Sequence, residues 1–167
     1  TGALYRAIAF YLVDKNIDLI NEDDIKLSLN SININIDFKD GEQRVKLFEK
    51  DISDLIRTPE ISMIASDISK LKCVREFLLD LQRKLADENN VIMDGRDIGT
   101  VVLPGAKVKI FLTASAEKRA KRRYIELLEK GMMVSYESVL ADIIKRDHND
   151  TTRQIAPLKP SEDSVLI

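Results

Sequence analysis

The sequence predicts an α/β fold: a parallel sheet with helices on both faces, and a smaller sheet inserted in the N-terminal half. Short apolar runs at residues 91–94, 108–112 and 164–167 predict the parallel strands, because strands that alternate with helices form parallel sheets. Residues 32–38 alternate strictly between apolar and polar side chains. That alternation is typical of a strand with one wet face, and it predicts the smaller sheet.

Composition favours one compact, soluble protein. The chain has 167 residues, of which 44% are hydrophobic and 32% are charged, and its apolar runs fall far short of the ~20 residues that cross a bilayer. A net charge of −2 argues against a generic nucleic-acid coat. One cysteine and one histidine exclude a disulfide framework and a zinc cluster. A reducing, cytoplasmic location is therefore the simplest expectation.

The N-terminal half predicts a helix, a hairpin and two more helices. Apolar residues recur at helical spacing over residues 1–13. Asp40-Gly41 separates two alternating runs, which indicates a hairpin turn. Thr58-Pro59 predicts the start of a helix, because threonine caps helices and proline favours the first helical position. A second helix with an apolar stripe follows over residues 74–85.

The C-terminal half predicts two helices and a loop. A charged helix over residues 115–130 ends at Gly131, and a second helix over residues 135–147 begins at Ser135. Residues 146–153 are expected to leave that helix and enter a loop.

Charged residues and glycines follow the predicted strand at residues 91–94, as Asp94, Gly95, Arg96, Asp97 and Gly99. Open α/β sheets bind ligands at the carboxyl ends of their strands. A guanidinium suits a phosphate, and a carboxylate could orient a magnesium-bound water. The alternative is a turn that carries a surface Arg–Asp pair.

The charged helix places Arg119 and Arg123 on one face, with Arg122 beside them. Like charges at this spacing destabilise an isolated helix, which indicates an anionic partner such as a transferring phosphoryl group. The alternative is a solvated face that nearby glutamates balance.

Residues 146–153 offer a second set of polar groups. Asp150 could accept two ribose hydroxyls, and Arg146 and Arg153 could clamp a phosphate. The alternative is that Arg146 compensates the helix dipole and that the loop forms an Asx turn. Tyr5 and Arg6, near the start of the chain, are by themselves only weak evidence for a functional site.

Together these segments resemble bacterial-type cytidylate kinases, which are nucleoside monophosphate kinases of the P-loop group. The resemblance covers nearly the whole chain in family order, and its most specific part is the pairing of an Asp-Gly-Arg-Asp-x-Gly-Thr-Val-Val block with an Arg-Asp…Asp…Arg block. The motifs that carry it are Thr1-Gly2-Ala3-Leu4-Tyr5-Arg6, Ile56-Arg57-Thr58-Pro59-Glu60, Ala65-Ser66, Cys73-Val74-Arg75-Glu76, residues 94–102, residues 106–113, and Arg146-Asp147 through Arg153 to Ala156-Pro157-Leu158.

The resemblance implies a P-loop kinase core at residues 1–25, 67–114 and 134–167. It implies an insertion that binds the nucleoside monophosphate at residues 26–66 and a helical lid at residues 115–133. The implied enzyme transfers the γ-phosphoryl group of ATP to CMP or dCMP with Mg²⁺, as a cytoplasmic monomer that binds neither nucleic acid nor membrane.

The resemblance also implies a role for each matching residue. The cytosine edge would be read by Ser66, Arg75 and Asp97, and the ribose held by Asp150 and Arg153. Arg119 and Arg123 of the lid would close over the transferred phosphoryl group, and Asp94 is the one candidate to meet magnesium, through water. The acceptor phosphate would be surrounded by Thr1, Tyr5, Arg6, Arg96 and Arg146.

One family motif is absent from this sequence: the Gly-x-x-x-x-Gly-Lys-Ser/Thr loop that cradles donor phosphates. We therefore expect a fragment without the first strand, the P-loop, most of the first helix and the C-terminal helix, and inactive by itself. Two other functions stay open at this point. One is a kinase with another acceptor, such as UMP, and the other is a non-catalytic module that binds phosphate or nucleic acid.

Overall fold

The computed structural model describes the backbone of residues 1–167 and every side chain except that of Lys39. The chain divides into two compact units, Thr1–Gly95 and Arg96–Ile167. Each unit combines helices with a small sheet, which confirms the predicted α/β class. No helix in the described part of the chain is both long enough and apolar enough to cross a bilayer.

The described part of the first unit contains four α-helices, a short 3-10 helix at Leu55–Arg57 and one antiparallel sheet, in which the strand order is β1-β2-β3. The elements are α1 (Gly2–Asp14), α2 (Glu22–Leu29), β1 (Ile34–Lys39), β2 (Glu42–Leu47), β3 (Lys50–Asp51), α3 (Pro59–Ile68) and α4 (Lys72–Glu88).

Local sequence explains most of these elements. Leu4, Ile8 and Leu12 lie one turn apart on α1 and are buried in the apolar core of this unit. Asp40 and Gly41 both have positive φ, as a tight hairpin turn between twisted strands requires. These findings confirm the predicted first helix and hairpin.

Helix α3 begins where the sequence predicts. The Thr58 hydroxyl accepts a hydrogen bond from the Ile61 amide at 3.2 Å, and Pro59 occupies the first turn. Helix α2 and strand β3 were not predicted. Only Ile25 and Leu29 are buried on α2, so its eight residues show too little apolar periodicity to reveal a helix.

The second unit contains two long helices and a parallel pair of two-residue strands. Ile110 pairs with Val165, and Phe111 with Leu166. The elements are β4 (Ile110–Phe111), α5 (Ala116–Glu129), α6 (Tyr136–Thr152) and β5 (Val165–Leu166), with a single π-helical stretch at Ile98–Val102.

Helices α5 and α6 pack against each other around Ala120, Leu127 and Val139. The predicted cap at Ser135 is confirmed, because its hydroxyl accepts from the Ser138 amide. Ser115 caps α5 in the same way, by accepting from the Lys118 amide. Gly131 ends α5 with a φ of +72°.

Two predicted elements differ in the structure. Residues 91–94 do not form a strand: Ile92 is fully exposed, and no strand of the described chain pairs with this segment. A strand exists only through hydrogen bonds to a neighbour, so apolar sequence alone was misleading here.

Helix α6 continues to Thr152. Asp150 therefore lies on the helix and not in the predicted loop, whereas Arg146 lies within the helix that was predicted. No proline or glycine interrupts the helix before Arg153.

Candidate functional site

The end of α6 in the second unit holds a buried carboxylate between two arginines. Asp150 lies in the last turn of the helix with 8% of its side chain exposed. The Arg96 Nε is 2.8 Å from Asp150 Oδ2, and the Arg153 Nη1 is 3.5 Å from Oδ1. Both carboxylate oxygens therefore face guanidinium groups, and their positions are fixed before any ligand arrives.

Arg153 connects this carboxylate to a second one. Its Nη2 lies 3.9 Å from Oδ1 of Asp97, another buried side chain, and its Nε donates to the Ala156 carbonyl at 2.6 Å. The chain turns sharply at Ala156, where φ is +50°. The structure thus brings together four sequence-predicted residues: Arg96, Asp97, Asp150 and Arg153.

Arg146 lies one turn before Asp150 on the same helix, and two further arginines, Arg96 and Arg123, lie near its guanidinium. Burial lowers the pKa of its guanidinium, and the charges of Arg96 and Arg123 lower it further, while Asp150 and Asp147 act in the opposite direction. The Arg146 Nε is buried and has no hydrogen-bond partner among the described residues. A bound anion would offset this desolvated charge, so the site favours phosphate.

Arg119 and Arg123, the two arginines of α5 predicted to act on the phosphoryl group, have different surroundings. Arg119 forms a two-pronged ion pair with Asp147 of α6, in which Nη1 lies 2.8 Å from Oδ1. Its hydrogen bonds to Asp147 raise the pKa of Arg119. Arg123 instead pairs along its own helix, with Nη1 2.8 Å from Glu126 Oε1. Arg119 is thus held across the helix pair, whereas the Arg123–Glu126 ion pair lies within α5.

The first unit contains a second group of predicted site residues, between the end of α3 and the start of α4. Ser66 is buried, and its hydroxyl has no hydrogen-bond partner among the described residues. The Ser69 hydroxyl donates to the Ser66 carbonyl at 2.7 Å, and Arg75 Nη1 donates to the Ser69 carbonyl at 3.2 Å. A buried hydroxyl without a partner is costly, which favours a polar ligand at this position.

The start of α1 holds the remaining predicted residues, Thr1, Tyr5 and Arg6. The Thr1 hydroxyl donates to the Asp94 carbonyl at 2.7 Å. The Arg6 guanidinium packs close to Gly2, where an added Cβ would lie 3.3 Å from its Nη1. Glycine therefore leaves room for this arginine.

The described side chains do not build a magnesium site of their own. The Asp94 side chain is fully exposed, with a relative exposure of 102%, and no three His, Cys, Asp or Glu residues of the described chain converge on one point. Magnesium prefers several oxygen ligands in octahedral geometry, and one carboxylate does not supply them.

Two polar residues of α6 were missed by sequence reasoning. Asp147 bonds to an arginine 28 positions away, and Asn149 has a buried amide nitrogen with no hydrogen-bond partner among the described residues. Local spacing could not reveal the Asp147 pair, because a contact between two helices depends on how they pack.

The comparisons with known proteins agree with one another. Residues 1–167 match the family model described as cytidylate kinase. The chain is 50% identical to the cytidylate kinase of Carboxydothermus hydrogenoformans over 167 residues, which is all of this chain and 75% of that protein. It is 52% identical to the cytidylate kinase of Caldicellulosiruptor bescii, covering all of this chain and 74% of that protein. The Lactobacillus johnsonii cytidylate kinase is 48% identical, over 99% of this chain and 72% of that protein.

Proposed function

The chain belongs to the cytidylate kinase family, and from that premise we propose that it transfers the γ-phosphoryl group of ATP to CMP or dCMP, giving CDP or dCDP and ADP. A phosphate oxygen of the acceptor attacks the γ-phosphorus in line, while the bond from phosphorus to the ADP oxygen breaks. The observation that carries the proposal is the desolvated guanidinium of Arg146, held beside Arg96 and Asp150.

Arg96 and Arg146 bind phosphate oxygens in this proposal. Phosphoryl transfer asks little covalent chemistry of the protein, so positioning and charge neutralisation provide most of the catalysis. Arg96 is anchored at its Nε by Asp150, which leaves both of its terminal nitrogens available to a phosphate. Thr1, Tyr5 and Arg6 would contribute to acceptor phosphate binding from the start of α1.

Asp150 and Arg153 hold the ribose. A carboxylate can accept bonds from two neighbouring hydroxyls, and the Asp150 carboxylate is held in place by arginines on both oxygens. Arg153, with 4% of its side chain exposed, contacts this carboxylate at Oδ1.

Ser66, Arg75 and Asp97 read the cytosine edge. Cytosine presents an amino donor next to ring and carbonyl acceptors, so its recognition needs both acceptors and donors from the protein. Asp97 supplies an acceptor and Arg75 supplies donors. The unpartnered hydroxyl of Ser66 can serve either way.

The segment at residues 26–66 is proposed as the part that binds the monophosphate, and residues 115–133 as the lid. Helix α5 forms most of that lid and carries Arg119 and Arg123, which we propose act on the transferred phosphoryl group. Closure would exclude water that otherwise hydrolyses ATP.

The donor is proposed to be ATP with its own magnesium ion, because the described side chains offer no chelating cluster. We further propose that the protein works as a monomer in the cytoplasm and binds no nucleic acid. A net charge of −2 and a single cysteine support this last proposal and the location, respectively.

The test is ADP release by the full-length protein with ATP, magnesium and a panel of acceptors. CMP and dCMP should be used at least about 100-fold better than UMP or AMP, since buried polar groups reject a mismatched base edge strongly. In the Ser66→Ala variant, KM for CMP should rise while kcat changes little. Equal use of UMP and CMP would refute the acceptor assignment, and ATP hydrolysis independent of any acceptor would refute the transfer itself.

A further inference from the structure

The ion pair between Arg119 and Asp147 occupies a guanidinium that the proposed lid would use to bind phosphate. Arg119 lies in the first turn of α5, and Asp147 lies near the end of α6. Three of the five N–H donors of an arginine are engaged here. The Nε donates to the Ala114 carbonyl at 2.9 Å, and the two terminal nitrogens donate to the two Asp147 oxygens.

The pair is accessible to solvent and therefore exchangeable. The Arg119 side chain is 27% exposed and the Asp147 side chain is 30% exposed. A pair in this environment gains little net free energy, because water competes for both partners. The γ-phosphate of ATP carries more negative charge than a carboxylate and offers three oxygens in matching geometry.

Arg146 shows the contrasting case in the same unit. Its neighbours include the two like charges of Arg96 and Arg123, and its Nε has no hydrogen-bond partner among the described residues. Arg146 can receive an anion without losing a bond at this nitrogen. Arg119 must first break its hydrogen bonds to Asp147 before both of its terminal nitrogens can bind a phosphate.

We propose that Asp147 is a positioning residue that holds the Arg119 guanidinium on α6 in the absence of nucleotide and yields it to phosphate oxygens when ATP binds. This inference rests on the proposed function. Asp147 thereby sets the affinity for the donor by competing with it for the same guanidinium.

The Asp147→Asn variant tests this competition. The amide keeps the shape of the side chain but removes the competing charge, so ATP should bind about two- to fivefold more tightly at low salt, given the modest strength of exposed ion pairs. The gain should shrink as salt is raised. Binding is measured by titration calorimetry on the full-length protein with ATP and magnesium. Cytidine, which has no phosphate, should bind both proteins equally.

Two controls separate this pair from a general charge effect. Asp142 is half-buried on the same helix and forms no ion pair with the described residues. Asp142→Asn therefore removes the same charge from α6 without releasing an arginine, and should leave the ATP dissociation constant within about twofold, as expected for a screened charge. In an Arg119→Gln background, Asp147→Asn should no longer tighten ATP binding. Tightening that persists in that background, or no tightening in the single variant, would overturn the proposal.

A measurement on the unmutated protein covers the case in which Asp147→Asn does not fold. The Arg119 Nε–H resonance, assigned by its loss in Arg119→Lys, should move on adding ATP and stay in place on adding cytidine. An unmoved resonance at saturating ATP overturns the exchange.

A protein that binds ATP but does not phosphorylate CMP refutes the proposed function and leaves the exchange standing. A protein that binds no ATP refutes both.

Discussion

The two units bury different kinds of side chain. In the first unit, α1 contributes Leu4, Ile8 and Leu12 to an apolar core that also includes side chains of the hairpin and of α2, α3 and α4. In the second unit, the apolar cluster among the described residues consists of Ala120, Leu127 and Val139 with partly buried neighbours. Its other buried side chains include the charged groups of Asp97, Asp150 and Arg153.

This difference separates the main source of stability from the buried charges that we propose bind ligand. Apolar burial stabilises a fold by about 25 cal/mol per Å² without requiring any direction. Buried charges contribute little net stability, because desolvation offsets their attraction, but they fix donors and acceptors in space for a ligand. We therefore expect core substitutions in the first unit to unfold the protein, and charge substitutions in the second to impair its activity.

The largest expected effect comes from the apolar core. Ile8→Ala should lower the free energy of unfolding by about 2–5 kcal/mol, because it leaves a cavity in place of a fully buried side chain. Leu127→Ala should cost less, about 2 kcal/mol, since its smaller cluster can collapse around the gap. Urea denaturation followed by circular dichroism measures both. A loss for Leu127→Ala as large as that for Ile8→Ala would contradict the comparison.

Next in size is the effect of Arg146→Met on turnover. We expect kcat/KM for CMP to fall about 100- to 1000-fold, equivalent to about 3–4 kcal/mol of transition-state stabilisation. The melting temperature without ligand should stay constant or rise by a few degrees, because a desolvated charge between like charges is removed. Lys145→Met, an exposed neighbour on α6, is the matched control and should retain full activity. A parallel loss of stability in Arg146→Met would show that the arginine is structural.

The smallest effect compares one glycine from each unit. Gly41 has a φ of +81° in the hairpin turn, so Gly41→Ala should destabilise the protein by about 1 kcal/mol. Gly105 has ordinary φ and open space around it, so Gly105→Ala should be neutral or stabilising by up to about 1 kcal/mol. Thermal melts distinguish these outcomes. The same sign for both substitutions would argue against a conformational cause.

Sequence reasoning succeeded where structure is decided locally. Asp40-Gly41 predicted the hairpin because a tight turn needs positive φ, and Thr58 and Ser135 predicted helix starts because their hydroxyls bond to amides in the first turn. Each of these signals acts within a few residues.

It failed where structure depends on distant partners. The segment at residues 91–94 has the composition of a strand but pairs with no strand of the described chain. Asp147 lies near the end of α6, but only the packing of α5 against α6 gives it Arg119 as a partner. The family resemblance could name Arg146 and Asp150, yet the buried nitrogen of Arg146 is visible only in three dimensions.

The turn at Gly131 gives helix α5 the mechanics of a lever. Arg119 precedes Lys130 by 11 positions, which is about 17 Å along a helix axis. A tilt of about 10° at this pivot would move the Arg119 end by about 3 Å, enough to take a bonded nitrogen out of hydrogen-bonding range. A small change of backbone angle at one glycine would thereby be enough to break or make an ion pair at the far end of the helix.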